Sequence, residues 1–230
     1  MLYRMFFPLV KALVRTVFFV LGAPVRIRGA QHVPTTGGVL ICPNHVSDAD
    51  PAAIGVSLPR DGHFMAKATL FSHPVAGALL RFCRSFPVRR DSADRGALRH
   101  AEELLRAGEV VVIFPEGGGN EAGVLQPLHP GALLVALRTK ATVVPVALVG
   151  TNRVWRYGAP LPRRTQTPVC VTFGEPLDLS DLAGKKGAVE EATRRLTVRL
   201  AAMLDQPIPQ GRPVSREETP GTQSQEPSAS

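Results

Sequence analysis

The residues best suited to chemistry lie close together in Cys42-Pro43-Asn44-His45-Val46-Ser47-Asp48-Ala49-Asp50-Pro51. An imidazole takes up and returns a proton near neutral pH, and a carboxylate beside it fixes one tautomer and stabilises the imidazolium. His45 and Asp50 supply that pair if the chain turns between them. In one continuous helix, at about 100° per residue, the two side chains would point roughly 140° apart. The flanking residues predict the turn. Gly38-Val39-Leu40-Ile41 reads as a buried strand, and Pro51 to Val56 as the first turns of a helix. Proline is favoured at the first helical position and aspartate just before it, so Asp50 is the expected N-cap and His45 stands at the junction. A capping aspartate near an incidental histidine has the same spacing, so the rest of the chain must decide.

Two more stretches carry polar groups at the end of apolar runs. Ser85-Phe86-Pro87-Val88 leads into Arg89-Arg90, and Val110-Val111-Val112-Ile113-Phe114 leads into Pro115-Glu116-Gly117-Gly118-Gly119-Asn120. A guanidinium suits a phosphate because it donates two parallel hydrogen bonds, and glycines free backbone N–H groups for an anion. Taken singly, the first is equally a solvated charge pair and the second a glycine-rich loop.

The elements that must position these groups alternate. Val25 to Arg28, Gly38 to Ile41, His63 to Lys67, Val110 to Phe114, Thr142 to Val149 and Val169 to Phe173 read as strands. Helices are expected over Pro51 to Val56, Pro74 to Cys83, Ser92 to Gly108, Gly131 to Arg138 and Val189 to Met203, the last with Leu196 and Leu200 inward. Pro145 cannot donate to a ladder, so an edge or a bulge is expected there. The sum is an α/β fold with a mostly parallel central sheet flanked by helices, and in such sheets functional groups gather at the carboxyl ends of strands.

The 230 residues, 44% of them hydrophobic, suffice for one domain with a substantial core. A net charge of +8 favours anionic partners. Without an arginine tract interleaved with aromatics or a zinc-finger spacing, nucleic acid is not the expected one. Three scattered cysteines, Cys42, Cys83 and Cys170, suggest neither disulfides nor a metal site, and a reducing compartment follows as the default.

In residues 1–21, Arg4, Lys11 and Arg15 fall within an arc of about 40° at helical spacing, opposite Phe6, Val10, Leu13, Val14, Val17 and Leu21. That pattern suits a helix lying in a membrane interface with its cations toward lipid head groups. A spanning anchor, a signal peptide and a helix packed on the protein's own core remain the alternatives. Residues 1–24 are thus expected as an interfacial helix, 25–205 as the folded domain and 206–230, almost devoid of apolar residues, as a disordered tail.

Over about residues 25 to 175 the chain resembles the glycerolipid acyltransferases typified by lysophosphatidic acid acyltransferase. Asn44-His45 with Asp50, Ser85 to Arg90, Phe114-Pro115-Glu116-Gly117 and Val143-Val144-Pro145-Val146-Ala147 match that family's four blocks in order. The resemblance implies acyl transfer from acyl-CoA or acyl-carrier protein to the hydroxyl of a lysolipid in phospholipid biosynthesis, most simply 1-acylglycerol-3-phosphate, without cofactor or metal. By the same resemblance His45 is the base, Asp50 its partner, and Asn44, Arg90, Glu116 and Gly117 contact substrate. The expected location is peripheral, on the cytoplasmic face of the cell membrane. Gly118 and Gly119 stand where the family pattern has Thr-Arg, which opens the acceptor to another lysolipid such as lyso-ornithine lipid. A hydrolase would need a nucleophile, and no Gly-x-Ser-x-Gly elbow is present. A non-catalytic membrane-binding relative is the other alternative.

Overall fold

The computed structural model describes residues 2–89, 94–120, 122–211 and 213, with side chains from Phe6 onward. Arg4's side chain, Arg90, the expected helix start at Ser92 and most of the expected C-terminal tail therefore lie outside the described residues. Within them the strands are β1 Val25–Arg28, β2 Val39–Pro43, β3 Gly62–Lys67, β4 Phe86–Val88, β5 Val110–Val112, β6 Thr142–Val149 and β7 Val169–Phe173. They form one sheet in the order β1-β7-β6-β2-β5-β3-β4. Only the β6–β7 pairing is antiparallel, so the mostly parallel sheet expected from the alternation is what forms.

Helices cover both faces. Helices α4 Arg95–Arg106, α5 Gly131–Thr139 and α7 Ala188–Leu204 pack on one side, where Leu105, Leu133, Leu196 and Leu200 meet Leu40 and Val111, and the single turn α6 Thr151–Val154 follows β6. Helices α1 Leu2–Val20 and α2 Asp50–Ser57 cover the other, where Phe18 and Ile54 meet Val39, Ile41, Val110 and Val112. Successive residues of β2 and β5 thus serve opposite cores, which is why both strands are apolar without a break. Each fully buried leucine or isoleucine contributes about 1.5–3 kcal/mol of transfer free energy.

Three local expectations are corrected. The described part of α4 starts at Arg95, and its cap is Asp94, which accepts from the N–H of Ala97 at 3.1 Å. Asp94 also accepts from Arg89 N–H at 2.9 Å, and these amides hold its carboxyl below the usual range. Pro145 lies in β6, an interior strand, and not at an edge. It is tolerated because the β7 ladder ends at the Val146–Phe173 pair, so its missing donor faces the ladder's end, where its own carbonyl accepts from Gly174.

The third concerns α1. Two of its cations reach back to the protein: Lys11 Nζ donates to Leu58 O at 3.0 Å and Arg15 Nη2 to Val56 O at 2.7 Å. Both carbonyls belong to the last turn of α2, which has no partners of its own for them, and cations are favoured at that end of a helix. Phe7 and Phe18 are buried beside them. The outward stripe of α1 is instead Phe6, Leu9, Leu13, Val17 and Val20, with Leu13 63% exposed.

Candidate active site

The site forms at the carboxyl ends of β2 and β5, neighbours in the sheet. β2 runs straight into Asn44. That side chain extends the pairing with β6 by one step, accepting from Leu148 N–H at 2.7 Å and donating to Leu148 O at 3.1 Å. Both ends of the buried amide are thereby used within the protein, so it anchors the loop and is not open to a substrate.

His45 follows and is 5% exposed. Its Nδ1 lies 2.9 Å from Asp50 Oδ2, and the same oxygen accepts from the N–H of Val46 at 2.7 Å and of Ser47 at 2.9 Å. Asp50 is not the N-cap expected from the sequence. It occupies the first position of α2, makes no cap hydrogen bond, and folds its carboxylate back onto the junction loop. Three donors converging on Oδ2 make that loop a nest for a carboxylate, while Asp50 Oδ1 is buried without a partner among the described residues. Ser47 Oγ accepts from Ala49 N–H at 2.9 Å and lies between the carbonyls of Thr151 and Trp155. Fully buried and so engaged, it is not available as a nucleophile. Nor is Cys42, whose thiol is pushed well up by burial.

With Nδ1 turned to Asp50, the imidazole has Nε2 left for a substrate, and among the described residues nothing hydrogen-bonds it. Phe114 lies against the ring with centroids 4.2 Å apart, and Tyr157 meets it edge-on at 5.7 Å.

Glu116 is brought to His45, but to its main chain. Oε1 accepts from His45 N–H at 2.7 Å, and Oε2 from Asn120 Nδ2 and Gln126 N–H, each at 3.1 Å. Burial raises its carboxyl to about 7, against the opposing pull of these three donors. Asn120 completes the clamp: its N–H donates to His45 O at 3.2 Å, and its Oδ1 accepts from Gly123 N–H at 3.0 Å. The carboxylate placed by resemblance on the acceptor is thus engaged in holding the two loops together. Gly117 is required by its φ of +73° and by His129, whose ring atoms stand 2.7 and 2.8 Å from where a Cβ would be. Gly119 is required by Tyr157, whose Cδ2 would lie 2.0 Å from such a Cβ.

Arg90 lies outside the described residues, and the sheet order does not bring its neighbour Arg89 to the imidazole. Arg89 follows β4, three strands from β2, or roughly 14 Å at the usual spacing. It is 75% exposed in its side chain and lies 3.6 Å from Asp94. Asn120, Phe114 and Tyr157 were not singled out by sequence. Phe114 and Asn120 bracket the Glu-Gly block and were findable; Tyr157, 112 positions after His45, carried no local signal.

The acyltransferase family model matches residues 24–149. A 1-acyl-sn-glycerol-3-phosphate acyltransferase of Bacillus subtilis (strain 168) is 31% identical over 188 residues, which cover 79% of this chain and 90% of that protein. Proteins of the same name from Cocos nucifera and Borreliella burgdorferi are 28% and 26% identical, over 75% and 65% of this chain. The matches span only 56% and 60% of those two longer relatives. The crystal structure of the 1-acyl-sn-glycerophosphate acyltransferase from Thermotoga maritima superposes with a TM-score of 0.71 at 23% identity, covering 88% of this chain and 80% of that one, and shows a shared fold. Matched by the family model over more than half its length, and to the Bacillus protein over nearly all of that relative, the chain belongs to the acyltransferase family.

Proposed function

We propose that this enzyme transfers a fatty acyl group from acyl-CoA or acyl-carrier protein to the free hydroxyl of a lysolipid, with 1-acylglycerol-3-phosphate as acceptor. The observation that carries the reading is the His45–Asp50 pair at 2.9 Å, with Nε2 left for a substrate. A thioester is already activated, so no covalent enzyme intermediate is needed. His45 Nε2 takes the proton of the acceptor hydroxyl as its oxygen attacks the thioester carbonyl, and Asp50 stabilises the imidazolium. The C–O bond forms, the C–S bond breaks, and the imidazolium returns the proton to the leaving thiolate. Glu116 and Asn120 hold the base loop by its backbone, so they act on the reaction through His45.

The acceptor's identity rests on the names of the relatives. The placement is peripheral, on the cytoplasmic face of the membrane, where a soluble thioester donor meets a lipid acceptor. Support for it comes from the outward apolar stripe of α1; no helix among the described residues is long and apolar enough to cross a membrane. Purified protein incubated with radiolabelled acyl-CoA and a panel of lysolipids tests the reading. Acylated 1-acylglycerol-3-phosphate that disappears in His45→Ala is the expected result. Free fatty acid formed without acceptor would instead indicate a hydrolase, and no turnover at all a binding protein.

A further inference from the structure

Helix α3 Pro74–Phe82 and the 3-10 turn Ala68–Phe71 before it form an excursion between β3 and β4 that does not join either core. The excursion is nonetheless well built. His73 caps the helix by accepting from Ala76 N–H, Pro74 takes the first position, and Arg84 in the left-handed region ends it. Gly77, the only buried residue of α3, lets the helix close on the turn so tightly that a Cβ there would stand 2.5 Å from Phe71 O. The Arg81 guanidinium lies over the Phe71 ring, 5.7 Å from its centre.

What this unit turns outward is apolar. Val75 is 73% and Leu79 57% exposed, and with Phe82 they make an i, i+4, i+7 stripe along one face. Leu70 of the turn is exposed as well. The charges carried by this segment have one sign. Residues 62–89 contain no aspartate or glutamate, while Lys67, Arg81, Arg84 and Arg89 fall within them. An exposed apolar stripe on a segment whose charged residues are all cations matches an anionic lipid surface, where acyl tails receive the side chains and head groups meet the cations. A protein partner of this shape would need a groove lined with acids. The position in the fold agrees. The turn follows the carboxyl end of β3, and β3, β5 and β2 are parallel neighbours, so the unit starts at the same end of the sheet as His45.

We propose that residues 67–84 are a bilayer-docking element, separate from α1, that seats the mouth of the site on an anionic membrane. The inference deepens the lysolipid reading, but its test reads binding and not turnover. In the full chain, Leu79→Trp is added to the sole native tryptophan, Trp155, and vesicles of phosphatidylcholine with or without phosphatidylglycerol carry brominated acyl chains. The new indole is expected to be quenched on the anionic vesicles, with the signal of the unmodified protein as baseline. Val75→Glu with Leu79→Glu, leaving α1 untouched and the fold unchanged by circular dichroism, should lower partitioning by at least about tenfold. Absence of quenching, equal binding to vesicles without phosphatidylglycerol, or a dimer that the double glutamate variant abolishes would each overturn the proposal. Quenching by lipid in a protein that acylates no lysolipid would sink the proposed reaction and leave the docking element standing.

Discussion

Asp50→Asn separates the two tasks of the Asp50 carboxylate. Oδ2 receives the His45 ring and two loop N–H groups, whereas Oδ1 is buried and unpartnered among the described residues. An asparagine can place its oxygen where Oδ2 stands and its amide nitrogen where Oδ1 stands, keeping every acceptor the loop uses and the tautomer of the ring. The fold should lose only about 1–2 kcal/mol, the difference between charge-assisted and neutral hydrogen bonds. Asp50→Ala is less informative, because it strands the loop's N–H groups at about 1–3 kcal/mol each. What asparagine removes is the negative charge facing the imidazolium. Two unit charges about 4 Å apart at an effective dielectric near 20 attract by about 4 kcal/mol. That corresponds to roughly a thousandfold loss of kcat, since each 1.36 kcal/mol is about tenfold. Initial rates with saturating acyl-CoA and lysolipid, beside a thermal melt, measure both quantities. A well-folded Asp50→Asn enzyme with kcat within about threefold of the parent would refute the charge-stabilised base, leaving Asp50 as a loop anchor only.

Glu116 gives a pH dependence. Its folded carboxyl titrates at about 7 and an unperturbed one at 4.5, so the unfolded chain releases its proton first as pH rises. Stability from this group is therefore full below about pH 4.5 and lost by about pH 7, to the extent of about 3 kcal/mol. Denaturant melts of the parent and Glu116→Gln across that window should show the parent's advantage shrinking with pH; a constant difference would contradict the burial argument. Gly119→Ala drives a methyl into the Tyr157 ring and should lower stability by about 1–3 kcal/mol and raise the acceptor KM. In a Tyr157→Ala background the same change should be nearly neutral, and equal costs in both backgrounds would show that the ring is not what excludes a side chain at 119.

The four blocks named the family from residue types in order, and the expected strands and helices were readable because each rests on a local period or a local breaker; β4 and the turn Thr151–Val154, too short to show a period, were not. That a short loop carrying the histidine joins β2 to α2, with the aspartate at the helix start, needed no tertiary information. How Asp50 is used did need it. Sequence offers a helix cap to any aspartate before a proline, and only the folded loop presents three donors that outbid it. Glu116 was legible as a site residue but not as a clamp, because its partner is the backbone of a residue 71 positions away.

The cations of α1 show the same division. Helical spacing determined that Lys11 and Arg15 share one face with each other and not with the apolar residues, but it is silent on which face meets the protein. Open carbonyls at the end of α2 decided that, and left Phe6, Leu13 and Val17 of the expected apolar face on the outside together with Leu9 and Val20. Chain order likewise set the arginine pair between two site blocks, whereas strand order placed Arg89 at the far edge of the sheet. The sequence by itself determined the kind of chemistry and the class of fold, since both are written in neighbouring residues. Which polar group reaches which partner was decided by the sheet, because hydrogen bonds between loops depend on the strands that bring those loops together.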